Sequence, residues 1–315
     1  MRVLEANLVV EARVQLKWRA VILLAGSSRR PELAVTGRSS LDLPLGDGSN
    51  VLDRLIGELS ATLGEGLGTT DVRLLVGHGQ GEGKQFSPEP AGRSVGWLSV
   101  ERDNNPFRGT GGAVADAARG YGDNDLILVL QAAQVNFTPL WKTAGALLRR
   151  VEDDGSDVVV ATNSAGVPEG AILMRVGALR GLKKEGFVDL KEQALPALAK
   201  EFRVTVLKGS GQSSVPVRTA TDYLRAVALT SVLGGVRVGN ALWDLDPGRS
   251  GGFKLIEEGA KVAAGARVVD SVVLSGATVE SGAVVVRSVV GGGVTVRGAS
   301  AYVDRLAGAE GGASQ

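Results

Sequence analysis

The chain has 315 residues, 44% of them hydrophobic, which is enough for one large α/β domain and a smaller second one. Its 35 basic and 34 acidic residues leave no basic stripe for nucleic acid, and the absence of cysteine excludes disulfides and thiolate metal sites. No apolar run approaches the ~18 residues that span a bilayer, so we expect a cytoplasmic protein without a membrane partner.

The first strong element is the apolar run at residues 20–25. It follows a segment, residues 8–19, in which apolar and polar side chains alternate as in an amphipathic edge strand. The run itself does not alternate, which predicts a strand buried on both faces of a parallel sheet. It ends in a turn of small residues and two arginines, residues 26–30, whose backbone N–H groups can receive a phosphate. An ordinary surface turn is the alternative.

Helix signals recur along the chain. Asn50 is the expected N-cap of a helix with one apolar stripe, and Thr138 and Pro139 are expected as N-cap and first helical residue of another. Thr219 and Asp222 form a pair that resembles a capping box. The stripe comprises Val51, Leu52, Leu55, Ile56, Leu59 and Leu63.

Further buried strands are predicted at residues 72–76, 125–130 and 158–161. A glycine-rich segment, residues 109–113, opens a helix that is expected to run to residue 119. The lone histidine, His78, lies in a glycine-rich loop and is interpreted as a solvated side chain. Alternating strands and helices predict an α/β sheet.

The amino-acid pattern of the chain changes near residue 255. Residues 265–281 and 282–298, laid over one another at a spacing of 17, are identical at ten positions. Small residues and valines at this near-hexapeptide spacing predict a short left-handed parallel β-helix, whose coils must stack to bury their apolar faces. We therefore expect an α/β domain at residues 1–240, the β-helix at 241–306 and a disordered tail at 307–315.

Several of these segments resemble the sugar-1-phosphate nucleotidyltransferases, over roughly residues 19–300. The turn at residues 26–30 resembles L-A-x-G-x-G-T-R, residues 109–113 resemble G-T-[AG]-G-A, and residues 187–198 resemble the family's D-x-K-E helix. Residues 215–226 resemble the segment that ends its catalytic domain. The resemblance implies an open, mostly parallel, Rossmann-like sheet of GT-A type, and the conversion of a nucleoside triphosphate and a sugar 1-phosphate into an NDP-sugar and pyrophosphate.

The resemblance assigns site residues by position. Arg30 is the expected catalytic, phosphate-holding cation. The expected nucleotide-binding residues are Leu24, Ala25, Gly26, Ser27, Ser28, Arg29, Gly109, Thr110 and Gly112. The expected sugar-binding residues are Glu169, Gly170, Asp189 and Lys191, with a solvated helix face capped by Asp189 as the alternative for the last two.

The chain departs from the family where charge matters most. Ser39 and Ser40 stand in place of its Pro-Lys, and Ala133 and Pro216 stand where it has the two carboxylates that hold magnesium. A methyl group and a pyrrolidine ring supply no oxygen ligand, so no metal ligand is assigned, and magnesium is expected only if the protein is active.

Three functions stay open at this stage. The first is an active enzyme with relocated ligands, for which Asp42, Asp47 and Asp103 are candidates. The second is a non-catalytic protein that binds a nucleotide or sugar nucleotide, as a regulatory subunit of a paralogue. The third is an assembly protein that forms a homo-oligomer or a mixed oligomer through the β-helix.

Overall fold

The computed structural model describes residues 18–25, 32–64, 70–77, 96–102, 107–183, 185–209, 213–232 and 252–308. The α/β region contains β1 (Ala20–Leu24), α1 (Val51–Leu63), β2 (Asp71–Val76), β3 (Leu98–Arg102), α2 (Gly109–Ala117), β4 (Leu126–Gln131), β5 (Gln134–Asn136), α3 (Leu140–Asp154), β6 (Val158–Thr162), β7 (Pro168–Arg175), α4 (Val176–Leu179), α5 (Leu195–Leu198), β8 (Val204–Lys208), β9 (Ser214–Pro216) and α6 (Ala220–Val232). Short 3-10 helices cover Glu32–Thr36, Ser40–Asp42 and Ala118–Gly120, and a π-helical turn covers Leu190–Ala194.

The C-terminal strands are β10 (Lys254–Ile256), β11 (Lys261–Val262), β12 (Arg267–Val269), β13 (Ser271–Val273), β14 (Thr278–Val279), β15 (Val284–Val286), β16 (Val289–Val290), β17 (Thr295–Val296), β18 (Ala301–Val303) and β19 (Leu306–Ala307). Residues 252–308 are called the coil stack below. In the described ranges no helix is both long and apolar enough to cross a membrane. The predictions for residues 8–17, 26–30, Asp103, His78 and 309–315 lie outside the described residues.

The main sheet has seven strands in the order β3-β2-β1-β4-β7-β6-β8. Its strands are parallel except β7, which is antiparallel to both β4 and β6. The mixed α/β sheet dominated by parallel strands is therefore confirmed. The first apolar run forms β1, in the interior of the sheet between β2 and β4, which explains why it shows no alternation.

Each face of β1 supports a separate hydrophobic core. Val21 and Leu23 face a core built with α1 and α3, whereas Ile22 and Leu24 face a core that includes Val114 of α2. All six residues of the predicted α1 stripe are buried, and the Asn50 side chain accepts the N–H of Asp53 at 2.7 Å. The predicted α1 and its cap are confirmed.

Two other helix starts were tested by the structure. Thr219 caps α6, because its hydroxyl accepts the N–H of Asp222 at 3.1 Å. The cap predicted for α3 is wrong: the helix begins at Leu140, and Pro139 occupies the N-cap position with ψ 130°, without a side-chain cap hydrogen bond. An extended ψ places Pro139 outside the helix, so Thr138 lies one residue too early to cap it.

The coil stack consists of three parallel ladders, β10-β13-β16-β19, β11-β14-β17 and β12-β15-β18. Each residue pairs with the residue 17 positions later, as in Arg267 with Val284 and Val284 with Ala301. The 17-residue repeat is therefore the register of the ladders. Small apolar side chains fill the interior: Val273, Ala277, Val279, Ala283, Val285, Val290 and Val296 are fully buried.

One side of the coil stack packs against the α/β region. Val272, Leu274 and Val289 belong to the same buried core as α1 and α3. Arg38 and Glu257 form an ion pair at 2.8 Å between the two regions. A Cβ on Gly308 would lie 1.6 Å from the Val35 carbonyl oxygen, so the two backbones are in direct contact there.

Candidate functional site

The carboxyl ends of the central strands meet at one edge of the sheet. Leu24 ends β1, and its carbonyl accepts the N–H of Ala132, just beyond β4, at 2.9 Å. Ala25 donates its N–H to the carbonyl of Leu75 at 3.1 Å. Leu24 and Ala25, two of the predicted nucleotide-binding residues, are buried. They directly precede the segment 26–30. Ligands of open α/β sheets bind at such an edge.

The chain on the far side of that segment is anchored nearby. The Glu32 carboxylate accepts the N–H of Ala220, the first residue of α6, at 3.0 Å. Residues 25 and 32 therefore flank Gly26, Ser27, Ser28, Arg29 and Arg30, which lie outside the described residues. The nucleotide role of these five residues stays a prediction.

The two positions that the resemblance matches to metal carboxylates lie in adjacent segments. Val217 donates its N–H to the Ala133 carbonyl at 2.9 Å. Gln134 and Pro216 are paired in the antiparallel strands β5 and β9. Ala133 and Pro216 therefore lie in adjacent segments, and neither carries an oxygen-bearing side chain.

The polar side chains around Ala133 are committed to other partners. Gln134 donates its amide N–H groups to the Asn136 side chain at 2.9 Å and to the Glu169 carbonyl at 2.7 Å. The Glu169 carboxylate accepts the N–H and the hydroxyl of Ser213, both at 2.5 Å. Among the described residues no group of three or more acidic or histidine side chains could hold a metal ion. The residues at this edge do not fit a magnesium held by two carboxylates.

The relocated ligands that the sequence suggested have other neighbours. Asp47 accepts the N–H and hydroxyl of Ser49 and pairs with Arg54; these contacts hold the pKa of Asp47 below its ordinary value although burial opposes them. Burial raises the pKa of Asp42, whose charged neighbours are Arg38 and Asp53. Within the described ranges neither carboxylate bonds directly to residues 131–134, although Arg54 joins Asp47 to the Asn136 carbonyl of β5, to which it donates at 3.3 Å.

Gly170 shows why this edge is narrow. It has φ +78°, and a Cβ there would lie 2.2 Å from the Gln134 amide oxygen. The crevice between Gln131, Gln134 and Gly170 has a volume of about 20 Å³, which is room for one water molecule. The predicted sugar residues Glu169 and Gly170 are therefore close to Gln134, and Glu169 already has hydrogen-bond partners of its own.

Glycines at the start of α2 are hydrogen-bonded to another part of the same chain. Gly111 and Gly112 donate their N–H groups to the Val188 carbonyl at 2.9 and 3.3 Å. Gly109 has φ +68°, and a Cβ on it would lie 2.6 Å from the same oxygen. The free N–H groups of a helix start can receive an anion, but those of Gly111 and Gly112 are occupied by Val188. The nucleotide role of Gly109, Thr110 and Gly112 stays a prediction.

Thr110 and Asp189 join the two predicted binding segments. The Thr110 hydroxyl donates to the Asp189 carboxylate at 3.1 Å and accepts the N–H of Leu190 at 2.9 Å. Asp189 also accepts the N–H groups of Lys191 at 2.8 Å and Glu192 at 2.9 Å, as the cap of the π-helical turn. The capping role predicted for Asp189 is confirmed, and its position beside Thr110 was not predicted.

Arg108 is a buried residue of this site that sequence reasoning missed. It is 4% exposed and donates to the Asp116 carboxylate at 3.1 and 3.2 Å. It also donates to the carbonyls of Lys183 at 3.0 Å and Gly186 at 3.4 Å. Its own carbonyl accepts the N–H of Val188 at 2.8 Å. Arg108 therefore holds the segment that precedes Asp189 against α2; the available signal was an arginine directly before the glycine run.

Lys191 has a cationic neighbour. Its pKa is lowered first by burial and then by the charge of Arg218, while Asp189 acts in the opposite direction. Arg218 is exposed and directly follows Val217, which bonds to Ala133. Lys191 was predicted from the resemblance, whereas Arg218 was not.

A solved structure shares this arrangement of strands. It is a protein from Bacillus anthracis described as a glucose-1-phosphate thymidylyltransferase, in complex with sucrose, with a TM-score of 0.53 and 13% identity. The match covers 71% of this chain and 98% of that chain. The chain has a nucleotidyltransferase-like fold.

A second solved structure, HddC from Yersinia pseudotuberculosis, matches with a TM-score of 0.49 and 14% identity over 66% of this chain and 98% of that one. Its score is too low to support any argument. No family model and no curated protein matches this sequence. The nucleotidyltransferase-like assignment is therefore a statement about fold.

Proposed function

We propose that this protein binds a nucleoside triphosphate or an NDP-sugar at the carboxyl edge of β1 and β4. The observation that carries the proposal is the pair of backbone hydrogen bonds from Ala132 to Leu24 and from Val217 to Ala133. They join the end of β1, which precedes residues 26–30 in the chain, to the two segments that resemble the metal positions of sugar-1-phosphate nucleotidyltransferases. The nucleotidyltransferase-like fold supports the same assignment.

In this proposal the ligand lies along the edge. Residues 26–30 would hold its phosphates, with Arg30 as the principal cation and Arg29 beside it. Leu24, Ala25, Gly109, Thr110 and Gly112 would contact the nucleotide. Glu169, Gly170, Asp189 and Lys191 would line the sugar side, where Asp189 and Thr110 already contact each other.

Catalysis is a separate question. In nucleotidyl transfer the attacking phosphate is already an anion, so positioning and charge neutralisation are the main requirements. Magnesium, when bound to such an enzyme, supplies much of that neutralisation. Ala133 and Pro216 carry no side-chain oxygen with which to hold it. An active enzyme would need its phosphate charge neutralised by other groups.

A non-catalytic subunit is the second candidate function. The coil stack favours it, because one of its three ladders, β10-β13-β16-β19, shares a core with the α/β region, while the other two leave faces exposed. We infer that the stack is a left-handed parallel β-helix over residues 241–306, following an α/β domain at residues 1–240. It would serve a homo-oligomer or an oligomer with an active paralogue. A cytoplasmic location stays a prediction from the cysteine-free composition.

The test is ligand binding, measured separately from turnover. Titration calorimetry with nucleoside triphosphates and NDP-sugars, with magnesium or with chelator, should show binding to at least one nucleotide. Arg30→Ala removes a charge-assisted hydrogen bond of roughly 1.5–3 kcal/mol, so it should weaken that binding by about one to two decades. Arg149→Ala, on the exposed face of α3, is the matched control.

Pyrophosphate release in the presence of sugar 1-phosphates then separates the two candidates. Release above the uncatalysed rate supports an active enzyme, whereas binding without release supports the subunit. If no nucleotide or NDP-sugar binds the wild-type protein, the proposed function is wrong.

A further inference from the structure

The first coil of the coil stack, residues 252–269, leaves its apolar interior open. Five interior side chains of the second coil are fully buried: Val273, Ala277, Val279, Ala283 and Val285. Their partners 17 positions earlier are partly or largely exposed: Ile256, Ala260, Val262, Ala266 and Val268. Ile256 is 41% exposed, whereas its partner Val273 is 0% exposed. The end of a stack of repeats needs a cover over such a face.

The backbone of the first coil has an open edge as well. Among the described residues β10, β11 and β12 are each paired on one side only. In β11, Lys261 and Ala263 donate their N–H groups to the second coil, at 2.8 and 2.9 Å. Backbone groups alternate in direction along a parallel strand, so those of Val262, between these two residues, point to the open side. A further strand would satisfy them.

The opposite end of the coil stack shows how such an interior is covered. Val285 pairs with Tyr302 of the last coil, and the Tyr302 side chain packs against the interior cluster. The guanidinium of Arg305 lies 5.4 Å from the centroid of the Tyr302 ring. Val296, also in the last coil, is fully buried. A large aromatic side chain therefore ends one interior column at this end of the stack.

The repeat continues upstream of β10, as far as the description of this segment reaches. Gly252 lies against Val269 and Asp270: a Cβ on Gly252 would lie 2.9 Å from the Val269 side chain and 2.5 Å from the Asp270 carboxylate. Position 252 is 17 residues before position 269, so the chain enters β10 from the place of an additional coil. Residues 233–251, which precede it, lie outside the described residues.

One turn occurs in each described coil. The turns 263–266, 280–283 and 297–300 each have a hydrogen bond from the fourth N–H to the first carbonyl, at 3.1, 3.1 and 3.2 Å. The third residue of each turn has a positive φ: +87° at Gly265, +78° at Gly282 and 59° at Ala299. A positive φ at the third position alone is typical of a type II turn, which favours proline at the second position and glycine at the third.

The equivalent turn one repeat earlier has the residues that this turn type prefers. Residues 246–249 read Asp-Pro-Gly-Arg, with Pro247 at the second position and Gly248 at the third. The 17-residue spacing from Gly265 to Gly248 is the spacing of the ladders. The sequence therefore continues the turn column through the segment that precedes β10.

The residues before that turn match the columns of β11. Trp243 falls in the column of Ala260 and Leu245 in that of Val262, which are two of the open interior columns. Asp244, between them, falls beside the exposed Lys261. Two large apolar side chains would thus face the open interior, and a carboxylate would lie beside an ammonium group.

The match has limits at both ends. Leu242 falls in the column of the corner glycine Gly259, and Arg249 falls in the column of Ala266. The correspondence therefore covers one strand over β11 and the turn that follows it.

We propose that residues 243–248 cover the open end of the coil stack, as a short parallel strand beside β11 followed by a type II turn. Trp243 ends an interior column here as Tyr302 does at the other end. The inference does not depend on nucleotide binding. It limits the second candidate function, because an oligomer formed through the stack would then use the sides of the ladders and not this end.

Charge favours this occupant over a second copy of the protein. Each edge strand of the first coil carries an exposed cation: Lys254, Lys261 and Arg267. Two such ends placed together would bring like charges into contact, which opposes strand pairing. Asp244, in contrast, brings a carboxylate to Lys261.

A pair of cysteines tests the register directly, because the chain contains no cysteine of its own. In Asp244→Cys with Lys261→Cys the two Cα atoms would lie ~5 Å apart, the spacing of paired strands, which suits a disulfide. Mild oxidation of the full-length variant should convert most of it into an intramolecular disulfide, seen as a faster monomer band on a non-reducing gel.

Two further pairs are the controls. Lys261→Cys with Thr278→Cys should form a disulfide, because these residues are paired in β11 and β14. Asp244→Cys with Thr278→Cys should not, because two strand spacings separate the Cα atoms by ~10 Å. Circular dichroism of each variant establishes that it folds.

Tryptophan quenching provides a measurement that needs no cysteine. Comparison of Trp243→Phe and Trp141→Phe with the wild-type protein gives the fluorescence of each tryptophan. Acrylamide should quench Trp243 less than Trp141, whose side chain is 44% exposed.

The outcomes are decisive in either direction. If the Lys261–Thr278 control forms its disulfide and the Asp244–Lys261 pair does not, the proposal is wrong. It is also wrong if that pair forms only disulfide-linked dimers, since a second copy then occupies the end, or if acrylamide quenches Trp243 as strongly as Trp141. Nucleotide binding by these variants is a separate readout, so failure here leaves the proposed function intact.

Discussion

The main sheet and the coil stack keep their parts in register by different means. In the coil stack a residue pairs with its equivalent 17 positions later, so Val272, Val289 and Leu306 form one column. In the α/β region individual polar groups join segments that are far apart in the sequence, as Arg108 joins α2 to residues 183–186. The register of the repeat is shared by many equivalent backbone pairings, so no single residue decides it. The contact between α2 and residues 183 and 186, in contrast, depends on the side chain of Arg108 alone.

The same contrast separates fold from chemistry. The backbone contacts that place Ala133 beside Val217 persist although the side chains there cannot coordinate a metal. Backbone hydrogen bonds do not depend on side-chain identity, so the side chains of a site can differ in charge while its backbone contacts stay the same. Four expected effects, described from the largest to the smallest, test this comparison.

The largest effect is expected at Arg108. Arg108→Met keeps the apolar stem but leaves two carbonyls and the Asp116 carboxylate without their buried donor. Breaking a buried pair costs about 3–5 kcal/mol, so urea unfolding should show a loss of that order. Arg119→Met is the matched control, because Arg119 pairs with the same Asp116 but is 67% exposed, and exposed pairs contribute ~0–1 kcal/mol. Equal losses of unfolding free energy in the two variants would contradict the stabilising role of the buried Arg108 side chain.

The next effect tests whether the two regions share one core. Leu274 is fully buried in the core that includes α1 and α3, whereas Val285 is buried inside the coil stack. Leu274→Ala should cost about 2–5 kcal/mol, and Val285→Ala roughly 2 kcal/mol.

Fluorescence tells the two regions apart, because three of the four tryptophans, at positions 18, 97 and 141, belong to the α/β region, and residues 252–308 contain none. Leu274→Ala should lower the urea midpoint by fluorescence and by circular dichroism alike. Val285→Ala should change the dichroism transition more than the fluorescence one. A fluorescence midpoint that Leu274→Ala leaves unchanged would show that the regions unfold independently.

A third effect depends on pH and concerns Glu58 of α1. Burial raises the pKa of Glu58 from 4.5 to about 7, against the opposing effects of Arg54 and of a hydrogen bond from Asn136. The native state therefore keeps a proton that the unfolded state has lost between these values. Stability should fall as the pH rises from about 4.5 to 7, by roughly 3 kcal/mol, and then stay level.

Glu58→Gln should remove this dependence, so that the variant is more stable than wild type above pH 7 and similar to it near pH 4. Urea midpoints across that pH range provide the measurement. Glu152→Gln, on the exposed side of α3, should leave the wild-type profile unchanged. A wild-type profile that rises between pH 5 and 7 would contradict the buried, raised carboxyl.

The smallest effect tests the repeat rule itself. Gly265 and Gly282 occupy one corner of successive coils with φ +87° and +78°, and Ala299 occupies the next equivalent corner with φ 59°. Alanine is strained in this conformation, so Ala299→Gly should raise the unfolding free energy by roughly 0.5 kcal/mol. Ala301→Gly, within β18, should lower it instead. A loss in both variants would show that the corner is not strained.

The sequence by itself determined the elements and the periodic register. The buried pattern of β1, the Asn50 cap and the 17-residue repeat are local or periodic signals, and each was confirmed. The cap of α3 was wrong by one position, because the side-chain type of Thr138 does not reveal the extended backbone at Pro139. The resemblance also implied that the positions of Ala133 and Pro216 are close in space.

Only the tertiary structure decided which polar groups are already satisfied. The N–H groups of Gly111 and Gly112 are occupied by Val188, and the Asp189 carboxylate accepts the Thr110 hydroxyl, across separations that no local pattern encodes. The physical reason is that hydrogen bonds and charges are satisfied in space, by whichever group the fold brings near, while propensity and periodicity act along the chain.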